Sequence, residues 1–403
     1  MHRGAHVTAP LPPLGGATPP ALRAQRGVLA AIACIALFGV SQGMTHPLLA
    51  LRLNQEGWSA AMIGLNGAMV AVSALVLAPF MPALIRVIGL SAFLALGVVL
   101  SSAMLLLFPV FEGYGAWLLL RFLQGTAATM LFVGSEAWIV SDAEEGARGR
   151  IVGLYATVLS LGFAAGPMIL AGVGVDGATP FVVCAVLALT AFAPLVTAWA
   201  DAPRLHEDED EAAVSAWGFI RAAPTVMGAV ILFGAVEFGV MAMLPVWGVR
   251  QGFDPQSASF LVSVLILGNV VFQIPLGALA DKVNRRALLF LCAAVCLTAA
   301  ILLPLLVDWR LWAMLFVWGG LAAGLYTVAL VELGARYKGA TLVSANAAVV
   351  TAYGIGALAG PVLVGGAMDI VDPHGLSIAL GLMSAAFLGV VVQRARARRV
   401  QPA

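Results

Sequence analysis

Apolar residues run nearly unbroken along most of this chain, in stretches at 28–51, 59–82, 90–110, 115–140, 151–173, 178–199, 224–249, 257–280, 287–307, 311–331, 341–366 and 376–393. A helix rises about 1.5 Å per residue, so roughly 20 apolar residues span a hydrocarbon core of about 30 Å. The pattern therefore predicts twelve transmembrane helices. Between the sixth and seventh runs lies DAPRLHEDEDEAAVSAWGFIRA, the only long polar stretch inside the chain, which divides the spans six and six. Its HEDEDE run reads as a solvated linker, with cation binding as the alternative. Residues 1–27, rich in Pro, Gly and Ala without periodicity, read as a disordered tail. The first apolar run is too long for a signal-peptide core. The expected domains are thus a tail (1–27), a six-helix bundle (28–199), a linker (200–223), a second bundle (224–393) and a basic tail (394–403).

Composition agrees: 62% of the 403 residues are hydrophobic and 10% charged, against about 25% charged in ordinary soluble domains. The net charge of +1 points to no nucleic-acid partner. The distribution of charge says more. With a cytoplasmic N-terminus, seventeen of the 21 Lys and Arg fall in cytoplasmic segments, Arg52, Arg250 and Arg310 fall outside, and Arg121 lies within a span. The positive-inside rule then places both termini in the cytoplasm of a bacterial inner membrane. Cys34, Cys184, Cys292 and Cys296 all sit in apolar runs, which argues against a disulfide framework or a zinc site.

The two halves also repeat. Phe38-Gly39 matches Phe233-Gly234, Gly57-Trp58 matches Gly252-Phe253, and Trp117 matches Trp312, each at an offset of 195 residues. Gly162-x-x-x-Gly166-Pro167 matches Gly356-x-x-x-Gly360-Pro361 at an offset of 194. Four coincidences in register point to a duplicated six-helix unit, and parallel repeats of this kind place a substrate site between the halves near mid-membrane.

These residues carry a resemblance. GALADKVNRR (Gly277 to Arg286) is similar to the loop signature G-x-L-A-D-R-x-G-R-R of the major facilitator superfamily, RFLQGTAATM (Arg121 to Met130) resembles its R-x-x-Q-G motif, and GFAAGPMILAG resembles the G-x-x-x-G-P motif common among its exporters. The resemblance covers all but the tails. It implies an all-α membrane protein with twelve transmembrane helices in two pseudo-symmetric six-helix bundles, working as a monomer without a cofactor. One departure stands out: in the equivalent loop PALIRVIGLS, Arg86 occupies the place of the signature acid. In the matching loop Asp281 is expected to meet backbone N–H groups of a neighbouring helix and the Arg285/Arg286 pair, the alternative being a purely topological basic signal. The glycines of Gly166-Pro167 and Gly360-Pro361 serve either close helix packing or coupling.

Five ionisable side chains lie inside spans: His46, Arg121, Glu136, Glu237 and Glu332. Glu237 is thirteen residues from Arg250 and sixteen from Arg221, about 20 Å along the axis, so it does not snorkel easily to water. A charged acid at mid-depth costs roughly 2.5–3.5 kcal/mol unless it faces a wet cavity, finds a partner or takes up a proton. It reads as a switchable charge for proton coupling, with a protonated, purely structural acid as the alternative. The repeat places Gln42 opposite it, and His46 lies one turn from Gln42, with a bend expected at Pro47. His46 is open between interfacial hydrogen bonding and transport. The family motif implies that Arg121 either fixes span-one backbone or takes part in proton movement. The resemblance implies that Glu136 and Glu332 join cytoplasmic charge networks, with Arg148 and Arg150, and with Arg336 and Lys338, as partners; water-reaching helix-end acids are the alternative. Further cavity candidates are Asn66, Tyr155, Asn269, Gln273, Asn346 and Tyr353, each equally suited to gluing helices together.

The reading is a secondary transporter that works by alternating access on a small, largely apolar substrate, with proton-coupled efflux expected and proton-coupled uptake as the runner-up. A non-transporting sensor is a further alternative. No G-x-x-x-x-G-K-[ST] run is present for ATP binding, and no nucleophile, base or metal ligands cluster as an enzyme would need. The expected partners are the substrate, protons and the lipid bilayer.

Overall fold

The computed structural model describes residues 20–142, 148–203, 218, 221, 223–306, 308–337 and 340–400. Twelve of its helices are long and apolar enough to cross a membrane: α1 (Ala24–Gln55), α2 (Ala60–Ile88), α3 (Leu90–Leu107), α4 (Tyr114–Asp142), α5 (Arg150–Val173), α6 (Thr179–Thr197), α7 (Pro224–Arg250), α8 (Pro255–Ala280), α9 (Arg285–Leu305), α10 (Trp309–Arg336), α11 (Ala345–Ile370) and α12 (Gly375–Arg394). There is no β-strand among the described residues. The expected linker falls almost entirely outside them.

Local chemistry sets the helix ends. Side chains of Ser59, Asp254, Asn284 and Asp308 accept hydrogen bonds from the first N–H groups of α2, α8, α9 and α10, supplying acceptors for donors that have none within the helix. The Ser257 N–H bonds hold the Asp254 carboxyl below its ordinary range. Gly57 and Gly252 turn the chain at φ +82° and +92°, a left-handed conformation that favours glycine; this is one reason the two positions match in the repeat. Two ends differ from the apolar pattern. The first helix begins at Pro20, inside the expected tail, because Ala, Leu, Arg and Gln propagate a helix that Pro can start. The last continues to Val400, since an Arg- and Ala-rich segment needs no hydrophobic run to stay helical.

The repeat shows most clearly in two glycine seams. On α5, a methyl at Gly162 would come 2.7 Å from the Ala36 carbonyl oxygen of α1, and one at Gly166 would strike the backbone of Gly43 and Met44. On α11, Gly356 and Gly360 lie in the same way against the backbone of Ile231 and Ala235 of α7. Small residues let the helix backbones touch, so α1 and α5, and likewise α7 and α11, form matched pairs. The halves meet chiefly where α2 crosses α11 and α5 crosses α8. At the first crossing Gly64 of α2 sits against the Pro361 carbonyl.

Candidate functional site

Two polar clusters occupy the membrane interior, one in each half. In the second half Glu237 lies mid-way along α7, thirteen residues from either end. A lone acid in an apolar helix needs a donor, and α11 supplies one: the Tyr353 hydroxyl donates to Glu237 Oε2 at 2.6 Å. Aromatic rings close around this pair. The Tyr353 ring lies within 6.0 Å of Phe233, Phe238 and Tyr326, edge-on to the last two, and Phe233 lies 5.4 Å from Tyr326. No Lys, Arg or His pairs with Glu237 among the described residues.

The first half carries the opposite sign. Arg121 of α4 is 1% exposed, and its guanidinium donates to Gln124 Oε1 and, at 2.8 Å, to His46 Nδ1. Gln124 in turn donates to Gln42 Oε1. Because the guanidinium has no acceptor atom, Nδ1 must be the accepting nitrogen, which makes His46 a neutral ring protonated on Nε2. The bond from Arg121 to α1 thus goes to a side chain, His46, and not to backbone. Arg121 Nε has no partner, and no carboxylate lies within ion-pair distance of the guanidinium among the described residues. His46 faces Phe238 edge-on at 6.1 Å, so one ring of α7 separates the basic cluster from the Glu237–Tyr353 pair.

The symmetry of the backbone is not matched by the chemistry. At the offset of 195, Arg121 and Gln124 correspond to Phe316 and Gly319, which pack against Gly268 and Leu265 of α8. Gln42 corresponds to Glu237, yet Gln42 bonds within the first half and Glu237 within the second.

The remaining sequence candidates scatter. Asn66 is buried and donates to the Trp117 carbonyl at 3.3 Å, a helix-joining bond. The buried Tyr155 hydroxyl lies 3.5 Å from Ser135 Oγ. Asn269 and Gln273 are half-buried on α8, and Asn346 is exposed near the end of α11. Glu136 is exposed, lies within electrostatic range of Tyr155 and Tyr326, and forms no ion pair among the described residues. The side chains of its expected partner Arg148 and of Lys338 lie outside the described residues, and Arg150 is exposed on the same face.

Glu332 does pair as expected with Arg336, and it also takes Arg285 at 3.4 Å. This alters the expectation for the loop motif. Arg285 bonds Glu332 and the Ala280 carbonyl, while Asp281 is exposed at the C-terminal end of α8 with no ion pair among the described residues. The acid one helix away is better placed because it projects from α10 straight over the start of α9. Asp281, Arg285, Arg286 and Glu332 line a shallow cleft at this end of α8–α10.

Residues that sequence reasoning left out tie the halves together at the face opposite the termini. Asp369 of α11 accepts from the Ala60 and Ala61 N–H groups of α2 at 2.7 and 2.9 Å. Arg250 donates to Asn54 of the first half at 3.1 Å and pairs with Asp372 at 2.7 Å.

A family model described as Major Facilitator Superfamily matches residues 31–361 and, in a second match, 229–402. An uncharacterized MFS-type transporter of Bacillus subtilis, YfkF, is 25% identical over 370 residues, covering 89% of this chain and 93% of the relative. The uncharacterized MFS-type transporter YcaD of Salmonella newport is 24% identical, covering 92% and 96%. Among solved structures, a bacterial homologue of the human lysosomal transporter Spinster, inward-facing and unoccupied, aligns with a TM-score of 0.69 at 14% identity over 94% of this chain and 95% of that one. The nucleoside transporter NupG aligns with a TM-score of 0.71 at 13% identity, over 93% and 98%. At these identities the solved structures speak to the fold.

Proposed function

Because this chain belongs to the Major Facilitator Superfamily, and is thus a multi-pass membrane protein for secondary transport of small molecules, we propose that it exports its substrate in exchange for protons that load on Glu237. The observation that carries this reading is the isolation of that acid: mid-helix, with Tyr353 as its hydrogen-bond donor and no cation paired with it among the described residues. An acid without a fixed counter-charge can be neutralised by a proton and recharged by losing it. A cationic partner would hold it ionised throughout.

In this reading the termini lie in the cytoplasm and the face fastened by Asp369 and Arg250 is the outer one. The two bundles rock about the α2–α11 and α5–α8 crossings. On the cytoplasmic side Glu332 holds Arg285 and Arg336 within the second half, and this network, with Asp281, Arg286 and Glu136 as further members, is the gate proposed there. The G-x-x-x-G-P runs favour export, and their glycines serve that cycle by holding α1 to α5 and α7 to α11.

The test is accumulation in proteoliposomes across a compound panel, with and without an imposed pH gradient. One-for-one exchange against a gradient of one unit supports at most about tenfold accumulation, since about 1.4 kcal/mol corresponds to one decade. Glu237→Gln should abolish that accumulation and leave exchange or binding detectable. Accumulation unchanged in this variant would refute the proton role.

A further inference from the structure

Arg121 is a buried charge with no counter-ion among the described residues. Its side chain is 1% exposed, its Nε is unpartnered, and the groups around it are neutral: His46 accepting through Nδ1, Gln124, and Gln42 behind them. Glu237, the acid of the neighbouring half, is occupied by Tyr353 and screened from His46 by Phe238. A buried ion without a counter-ion is costly, and proteins remove that cost by pairing the ion or replacing it. Here the site holds the cation and lacks the anion. An arginine also presents donors in a fixed fork that fits a carboxylate with two parallel bonds.

The surroundings define the rest of the ligand. Beside His46 stand Phe163, 6.4 Å away, and Phe238, 6.1 Å away, with Tyr353 and Phe233 beyond. These rings offer apolar faces to a hydrocarbon or aromatic body.

We propose that Arg121, with His46 and Gln124 orienting it, is the binding site for the anionic head of a small amphipathic carboxylate, whose apolar body lies against Phe163 and Phe238. The site becomes reachable when rocking of the halves draws Phe238 away from His46. The proposal rests on the reading that the central region binds a small-molecule substrate, and not on proton coupling.

Three matched probes test it on the purified full-length protein in detergent at constant ionic strength: 4-phenylbutyrate, its neutral amide and the corresponding amine. The carboxylate is expected to raise the thermal midpoint of wild type in a saturable way. The amide and amine are expected to leave it unchanged. Arg121→Gln should lose the response, and Arg121→Lys, which keeps the charge without the fork, should retain a weakened one. Without ligand, Arg121→Gln should melt no lower than wild type, because it removes an uncompensated ion. The wild-type comparison of acid with amide stands even should a variant fail to fold. No stabilisation by the carboxylate, equal stabilisation by the amide, stabilisation by the amine alone, or an undiminished response in Arg121→Gln overturns the assignment. Loss of the carboxylate effect in protein that still accumulates other compounds leaves the transporter reading intact.

Discussion

Asp369→Ala should open the face opposite the termini. The Asp369 carboxylate reaches from α11 of one half to the first free N–H groups of α2 in the other, at 2.7 and 2.9 Å. Charge-assisted bonds at a helix N-terminus contribute more than neutral ones, about 1.5–3 kcal/mol for a charged group, and cap residues contribute typically about 1 kcal/mol. Asp369 is exposed, so solvent weakens the interaction, and about 2 kcal/mol is a fair figure for the pair. That corresponds to roughly a 30-fold shift between closed and open populations. The assay is the distance between spin labels at Glu112→Cys in the first half and His374→Cys in the second, both exposed on that face. The four native cysteines are buried and stay unlabelled. Asp369→Ala should add a longer-distance population, and Asp369→Asn, which keeps one acceptor oxygen without the charge, a smaller one. An unchanged distance distribution in a folded Asp369→Ala protein would show that these bonds do not hold the halves together.

Gly162→Ala should destabilise the protein by about 1–3 kcal/mol through overpacking against Ala36 and Val40, read as a lower thermal midpoint. On the same helix Gly153→Ala, with nothing within 4 Å of the added methyl, should be neutral or stabilising; equal losses at both positions would remove the packing argument. Glu332→Gln breaks pairs with Arg285 and Arg336 whose side chains are 28% and 35% exposed. Stability should fall by no more than about 1 kcal/mol, with a larger effect on transport rate. A midpoint loss that accounts for the whole transport defect would make Glu332 structural.

Much of the architecture was legible because hydrocarbon imposes so strong a constraint. A run such as 257–280 has no alternative to a helix in lipid, and the observed α8, Pro255–Ala280, differs from it by two residues at one end. The ends that strayed, at Pro20 and Val400, lie where polar helix formers continue beyond the membrane. The glycine repeat was also readable, since a seam that excludes every side chain leaves glycine at fixed spacing. Partners were harder. Glu237 was visible as a charge in an apolar run, while its pairing with Tyr353 depends on how α7 and α11 cross. Gln124 had a signal in its spacing three residues from Arg121, on one helix face. Asp369 looked like any helix-end acid, because the cap it forms belongs to a helix some 300 residues earlier in the chain.

The seam between α7 and α11 also constrains the working stroke. Where backbones touch at Gly356 and Gly360, little side-chain volume can be rearranged between the two helices, which favours their moving as one stiff spar. Glu237 rides on one member of that spar and Tyr353 on the other, so their separation is conserved however far the halves tilt. Motion alone therefore does not uncouple the acid from its donor. In the proposed proton-coupled cycle, the charge on Glu237 rather than its distance from Tyr353 is then what changes between the two states.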